Sequence, residues 1–428
     1  VEQGLIDEFG SIDTTLGGDS SRYSLSFAWE HEHETHRSEW SAYVIDYDMN
    51  LWSNFTYLLD DPDTGDQFQQ VDDRTIWGGG YRRFWVTGAE EHFHHSAGVE
   101  FRYDDIGEVG LYRTLDRERL STVREDRVDQ SSVGVFYELA WYMNERWRTV
   151  LGVRGDYYWF DVNADNPVNS GDDSDSIVSP KLSLIYMLTD TSELYLSGGY
   201  GFHSNDARGT TITIDPGTGE PVDQVDPLVQ SRGAELGLKT LWFDRWNSSV
   251  ALWYLELDSE LLFVGDAGTT EPSGASRRWG VEFNNFWAIN DIWTLEADFS
   301  WTDSKFEDAP GEDEIPGALP FVATGALTAE YPSGWFGSFR IRYFDGAPLV
   351  EDGSVEGQGS TMANLALGWS NERWRVQADV LNLFDSDDKD IEYFYASRLP
   401  GEPVYGVEDV HYHVFEPRQI RVYDSVLF

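Results

Sequence analysis

The chain has 428 residues, 40% of them apolar, with 22 Tyr, 24 Phe and 18 Trp, which suffices for a large folded body and is rich in aromatics for a soluble one. Its 77 acidic against 30 basic residues give a net charge of −47, excluding a phosphate-backbone binder, whose surface must be basic. No run approaches the roughly 18 consecutive apolar residues of a membrane helix, whereas a mean hydropathy of −0.45 is compatible with a β-barrel, because only alternate strand residues face lipid.

Val1-Glu2-Gln3-Gly4 carries neither an initiator Met nor a positively charged and apolar leader, so the start is read as processed or truncated. A first strand is expected over Arg22–Glu32. The clearest cycle follows at Ser131–Met143, Trp147–Val162, Ser176–Leu188 and Ser192–Asp206, each alternating with the period of a half-buried strand. Asn144–Arg146 and Thr189–Thr191 are minimal turns, whereas Asn163–Asp175 reads as a long polar loop. The cycle repeats to the end, with tight turns near Asp244, Asp291, Ser333 and Asn371 and long loops near 206–231, 264–276, 307–319, 346–360 and 385–412. In transmembrane barrels short turns are periplasmic and long loops external, so each connection gives its strand's direction.

Alternate residues separate two surfaces. Trp293, Leu295, Ala297, Phe299 and Trp301 oppose Thr294, Glu296, Asp298 and Ser300; Phe339, Ile341 and Tyr343 oppose Arg340 and Arg342; Leu236 and Leu238 oppose Glu235, Gly237 and Lys239. Charges of both signs on one face imply a wide hydrated or plugged lumen rather than a packed core. Aromatics bracket the short turns: Trp141 and Trp147, Trp242 and Trp246, Trp287 and Trp293, Tyr331 and Trp335, Trp369 and Trp374. Such rings favour the headgroup level, so these brackets mark a membrane girdle. The last strand puts Ile420, Val422, Val426 and Phe428 on one face, with Asp424 as a departure; a terminal aromatic is where barrel assembly machinery is expected to dock. The fold class is therefore all-β, an antiparallel transmembrane β-barrel of about seventeen strands in one domain over residues 1–428, surrounded by outer-membrane lipid.

Acid concentrates in the loops, as at Asp60-Asp61-Pro62-Asp63, Asp172-Asp173 and Glu312-Asp313-Glu314. This reads as a solvated, repulsive outer surface, with a divalent-cation site as the competing reading. The absence of cysteine fits the cell envelope without proving it.

Ser179-Pro180-Lys181-Leu182-Ser183-Leu184 and Glu193-Leu194-Tyr195-Leu196-Ser197-Gly198-Gly199-Tyr200-Gly201-Phe202-His203-Ser204-Asn205-Asp206 resemble the mid-barrel of TonB-dependent outer-membrane receptors. So do Leu151-Gly152-Val153-Arg154-Gly155-Asp156-Tyr157-Tyr158, Ala234-Glu235-Leu236-Gly237-Leu238-Lys239 and Asn382-Leu383-Phe384-Asp385, and the likeness covers essentially the whole chain. Gly201–Thr211, Ser397-Arg398-Leu399-Pro400-Gly401-Glu402-Pro403 and Val410-His411-Tyr412-His413 are similar to a proteobacterial subgroup of these receptors. The resemblance implies energised uptake of a scarce, bulky nutrient, such as a ferric siderophore or a cobalamin-like molecule, across the outer membrane of a Gram-negative bacterium. It also implies a barrel of 22 strands, an N-terminal plug and a TonB-contacting segment. Neither plug nor segment is recognisable here, and Arg22–Glu32 would be near the sixth family strand. The chain is accordingly expected to be a fragment or a plugless barrel, able to meet TonB only through a plug it does not contain.

Candidate ligand contacts are His203, Asn205, Asp206 and Arg208 where a rising strand reaches the 206–231 loop, and Tyr393, Tyr395, Arg398, His411 and His413 in the last long loop. By parity His203 and Asn205 follow the lumen set Tyr195, Ser197 and Gly199, although a loop-folding motif would use the same groups. His31, His33 and His36, and His92, His94 and His95, have spacing that suits zinc or copper, but neither cluster supplies a complete ligand set and both fall at presumed periplasmic turns; no metal or other cofactor is assigned. There is no G-x-S-x-G, H-E-x-x-H or P-loop motif, and Asp104 and Asp105 must point to opposite faces of a strand, so no enzyme chemistry is assigned. The competing readings are a passive porin-like channel and, more distantly, a soluble acidic β-protein.

Overall fold

The computed structural model describes residues 4, 6–7, 9–259, 261–264, 269–272, 274–307 and 309–426. The strands in chain order are β1 (Gly17–His33), β2 (His36–Ser53), β3 (Phe68–Thr87), β4 (Phe93–Leu115), β5 (Glu118–Tyr142), β6 (Trp147–Ala164), β7 (Gly171–Thr189), β8 (Ser192–Ser204), β9 (Leu228–Trp242), β10 (Trp246–Leu257), β11 (Leu261–Val264), β12 (Thr269–Pro272), β13 (Ser276–Ala288), β14 (Trp293–Phe306), β15 (Phe321–Glu330), β16 (Trp335–Phe344), β17 (Ser360–Ser370), β18 (Trp374–Leu381), β19 (Lys389–Ser397), β20 (Val407–Val414) and β21 (Gln419–Val426). Seventeen form one antiparallel sheet in which every strand pairs with the next. The β11–β12 and β19–β20 hairpins stand apart in the long connections between β10 and β13 and between β18 and β21. A nearest-neighbour meander satisfies each interior strand's backbone on both sides, as a bilayer demands.

The alternation predicted from sequence appears as exposure. On β1, Tyr23, Leu25, Phe27 and Trp29 are 70%, 72%, 60% and 50% exposed on the outer face. The tight turns and the later long loops lie where the sequence places them. The stretch 163–175 is a correction: β6 and β7 continue as a paired hairpin to Val162↔Gly171, leaving only 165–170 as a loop. Asn163, Asp172 and Ser174 lie on the outer side of these extended strands, while Phe160, Val162 and Ala164 are buried on the inner side, which Asp173 and Asp175 share. Phe428 lies outside the described residues.

Inward aromatics lie along the wall because the cross-strand partner is glycine. Tyr195 covers Gly237, Tyr43 covers Gly78 and Phe336 covers Gly368, and a Cβ on any of these glycines would collide with the ring. Tyr195 also bonds Glu235 and receives Lys239 over its ring at 5.1 Å. Gly237→Val is therefore expected to push Tyr195 off the wall and cost about 1–3 kcal/mol, the range of overpacking. A lowered heat-denaturation midpoint of the folded band of the full-length protein on unboiled gels would show it, and an unchanged midpoint would refute it.

Above Lys181 the sheet splits. The β7–β8 ladder ends at Lys181↔Gly199, next to Pro180, which has no N–H to give, while β8–β9 continues to Ser204↔Leu228. The freed top of β8 leads into a short helix, α1 (Ala207–Thr211), which packs against β5, β6 and β7 inside the mouth.

Candidate ligand-binding mouth

The first group of candidate residues sits where α1 meets the wall. Ile106, Val128, Phe160, Val162 and Ala164 on β4, β5 and β6 form an apolar floor, and Ala207 closes it. Asp206 caps α1 by accepting the Arg208 backbone N–H at 2.9 Å, and its carboxylate takes the Arg208 guanidinium at 3.0 and 2.7 Å. Burial works to raise the Asp206 carboxyl, but Arg208, its hydrogen bonds and nearby Arg124 outweigh it and hold it at about 2. Asn205, only 4% exposed, donates to the Asp226 carbonyl at 2.7 Å, so it ties the two ends of the 205–227 loop. His203 Nε2 is buried without a hydrogen-bond partner among the described residues.

Asn169, in the β6–β7 loop, anchors the far side. Its Nδ2 donates to the Ile214 carbonyl at 2.8 Å, and its Oδ1 accepts from the Thr213 and Ile214 N–H groups, both at 3.0 Å. The loop is thus fixed by buried polar contacts as well as by the apolar floor.

The second group lies on the β19–β20 hairpin. Tyr395 stacks on His411 at 3.8 Å and 8°, His411 Nε2 meets Ser397 Oγ at 2.9 Å, and its Nδ1 meets the Asp409 carbonyl at 3.0 Å. Tyr393 pairs in register with His411, and burial pushes its phenol up. His413 is exposed and contacts Asp390 at 2.8 Å. Arg398 forms a parallel bridge with Tyr57 and donates its N–H to Thr56 at 3.0 Å, so the hairpin docks on the 54–67 loop. That loop is built on Asp66, whose carboxylate accepts from Thr56 Oγ1 and from the N–H groups of Leu59, Asp60 and Asp61.

Burial lowers the His411 pKa, the Asp409 contacts opposing it. A histidine kept neutral when docked loses ground once the undocked form can take a proton, so docking is weakened as pH falls below about 6.5. Hydrogen exchange of the β19–β20 amides, corrected for intrinsic rate, is expected to rise from about pH 7.5 to about pH 5.5 and to stay flat in His411→Gln. A rise that persists in the variant would refute this.

Parity placed both groups at the mouth but did not reveal the ion pairs beneath them. Arg102 with Asp104, Arg124 with Asp126 and Arg154 with Asp156 repeat one device, an Arg and an Asp two residues apart on the lumen face. Arg74 with Asp72 reverses the order. The Arg-x-Asp spacing on lumen-facing positions was the available signal. Asp104 is 2% exposed while its neighbour Asp105 is exposed, in keeping with opposite faces.

At the opposite end the short turns carry ring contacts: Trp242 with Trp246 at 6.3 Å, Trp246 with Trp287 at 5.9 Å, Trp147 with Tyr186 at 4.6 Å, Trp141 with Phe93 at 5.9 Å and Trp293 with Tyr331 at 6.4 Å. Trp335 pairs in register with Trp369, and Trp374 begins the next strand. Among the described residues no three His, Cys, Asp or Glu converge as metal ligands. His95 instead bonds Thr87 and Tyr137, and the His94 ring meets that of Tyr142 at 4.8 Å in a tilted contact.

Comparison with known proteins agrees with this geometry. Residues 3–383 match the family model described as TonB dependent receptor-like, beta-barrel. The fold is similar to the ferric yersiniabactin uptake receptor FyuA from Yersinia pestis, with a TM-score of 0.75 and 15% identity over 96% of this chain and 63% of that one. It is also similar to the copper transporter OprC, with a TM-score of 0.70 and 17% identity over 96% of this chain and 66% of that one. BauA, the ferric preacinetobactin receptor from Acinetobacter baumannii, gives a TM-score of 0.67 and 12% identity over 95% of this chain and 63% of that one. The chain thus spans about 63% of the length of FyuA. With the family model covering nearly the whole ladder, the chain belongs to the TonB-dependent receptor β-barrel family.

Proposed function

We propose that this barrel serves TonB-dependent uptake of a scarce nutrient, such as a ferric siderophore or a cobalamin-like molecule, across the outer membrane of a Gram-negative bacterium. The observation that carries the reading is the family match over residues 3–383. The charged lumen and the folded loops at its mouth support it. Proteins of similar fold are receptors for ferric yersiniabactin and ferric preacinetobactin and a transporter of copper, so the fold leaves the ligand open. In this reading the plug and the TonB-contacting segment lie outside residues 1–428, Phe428 serves the barrel assembly machinery, and His203, Arg208, Tyr393, Arg398 and His413 line the approach of the ligand.

The test is uptake by cells producing the full-length protein in a host stripped of its own receptors, supplied with a panel of ferric siderophores and cobalamin. Uptake that stops when a protonophore collapses the proton gradient supports the receptor. Uptake of small sugars that ignores the protonophore would establish a passive channel instead.

A further inference from the structure

The outer face of β1, β2 and β3 departs from the rest of the girdle. By parity Trp29, His31 and His33, then His36, Ser38 and Trp40, then Tyr81, Arg83 and Trp85 share that face, while Glu30, Arg37 and Glu39 pair with one another on the lumen side. Trp29 pairs in register with Trp40, and Trp40 lies 4.4 Å from Tyr81, which fixes the aromatic level. His31, His33, His36 and Arg83 fall between that level and the short turn at 34–35, at the depth where headgroups replace acyl chains.

These groups are close together. His33 and His36 stack at 4.9 Å, with Thr35 Oγ1 at 3.4 and 3.2 Å from their Nδ1 atoms. His31 stacks on Trp29 at 5.6 Å. Arg83 lies opposite Ser38, which pairs in register with His31. Arg83 is exposed and pairs with no carboxylate among the described residues. In a chain of net charge −47, these four groups bring basic side chains together on one outward patch. The other titratable groups at this end are Glu34 on the β1–β2 turn, Glu90, Glu91 and His92 on the β3–β4 turn, and His95, which is held by Thr87 and Tyr137.

We propose that His31, His33, His36 and Arg83 bind the phosphate of an anionic phospholipid, such as phosphatidylglycerol, in the leaflet at the short-turn end. The guanidinium supplies a planar, two-toothed contact to phosphate, and each imidazole adds charge when protonated. Exposed Leu25 and Phe27 lie on the membrane side of the cluster, where acyl chains would run, and this favours a lipid over free phosphate. The site rests on the membrane reading proposed above.

Native mass spectrometry of the full-length protein, released from detergent with phosphatidylglycerol, phosphatidylethanolamine or inorganic phosphate, tests it. The wild type is expected to retain phosphatidylglycerol selectively, and Arg83→Gln/His36→Gln to lose about fivefold or more of that retention. Retention should rise from about pH 7.5 to about pH 5.5 in the wild type and stay flat when His31, His33 and His36 are all glutamine. Equal retention by the double variant overturns the site, and binding of inorganic phosphate as strong as that of lipid overturns the lipid assignment. Membrane fractionation and the unboiled-gel shift of the same samples separate the two readings. A variant inserted and folded but lipid-blind defines the site, an inserted wild type without lipid selectivity defeats the site alone, and a wild type that never enters membranes defeats the functional reading.

Discussion

Arg124→Leu is expected to release the 205–227 loop from the mouth and to cost about 3–5 kcal/mol, the range for breaking one partner out of a buried ion pair. Asp126 has 0% side-chain exposure and Arg124 15%, and the Arg124 guanidinium is the side chain bonded to that carboxylate. The second oxygen of Asp126 has no hydrogen-bond partner among the described residues to take over. Arg208 is near but is committed to Asp206. Arg124 also donates to the Arg208 carbonyl at 3.4 Å, so one substitution removes both the charge balance below α1 and a direct tie to it. Exchanging both partners, Arg124→Leu with Asp126→Leu, removes the stranded charge and should recover most of the loss. Heat denaturation of the full-length protein gives the stability change, and limited proteolysis around Asp215–Glu220 reports whether the loop has come away. A single variant that melts and resists protease like the wild type would sink the argument.

The sheet was legible because two periods coincide: side chains alternate every second residue, and short turns alternate with long loops. The Trp brackets recur in the same register for the same reason, with rings at the start of β6, β10, β14, β16 and β18. The 163–175 stretch was misread because its strands leave the membrane, where outer-face Asp and Ser look like loop composition. The interiors of the loops were not legible at all. Asn169 is satisfied by Thr213 and Ile214, more than forty residues away, and no local pattern announces that partnership. The word Asn382-Leu383-Phe384-Asp385 was recognisable as a resemblance, and the fold supplies its physics. Asn382 sits at φ 48° with its side chain bonded to Ser386 and Glu416, and Asp385 at φ 58° accepts the Arg418 N–H and guanidinium. The candidate mouth residues lie at the long-loop end, as the connections imply. Parity could not show that Asn205 and Asp206 are engaged in holding their own loop while His203 keeps a buried nitrogen without a partner among the described residues.

Residues 1–428 on their own are expected to fail to form a compact barrel in a bilayer. Among the described residues no ladder joins β21 to β1, so one edge of each strand presents unpaired N–H and C=O groups, and each such group costs several kcal/mol in hydrocarbon. The two ends do approach at the mouth, where the β19–β20 hairpin reaches the loop between β2 and β3. They cannot close antiparallel, because seventeen is odd and β1 and β21 run in the same direction. A second copy inserted the same way up offers no remedy, since it brings β21 against β1 in parallel again. Only an odd number of additional strands between the two edges restores an antiparallel ring. Residues 1–428 refolded in detergent should therefore show no shift between boiled and unboiled gels and should be cut by protease within β1, whereas a polypeptide supplying the additional strands should shift and resist. The chain has 0 cysteines, so a pair introduced at Leu25 and Val422 reports on closure without background. Rapid disulfide formation in a compact, heat-shifted monomer of residues 1–428 would mean that the sheet closes on itself and that the parity argument is wrong.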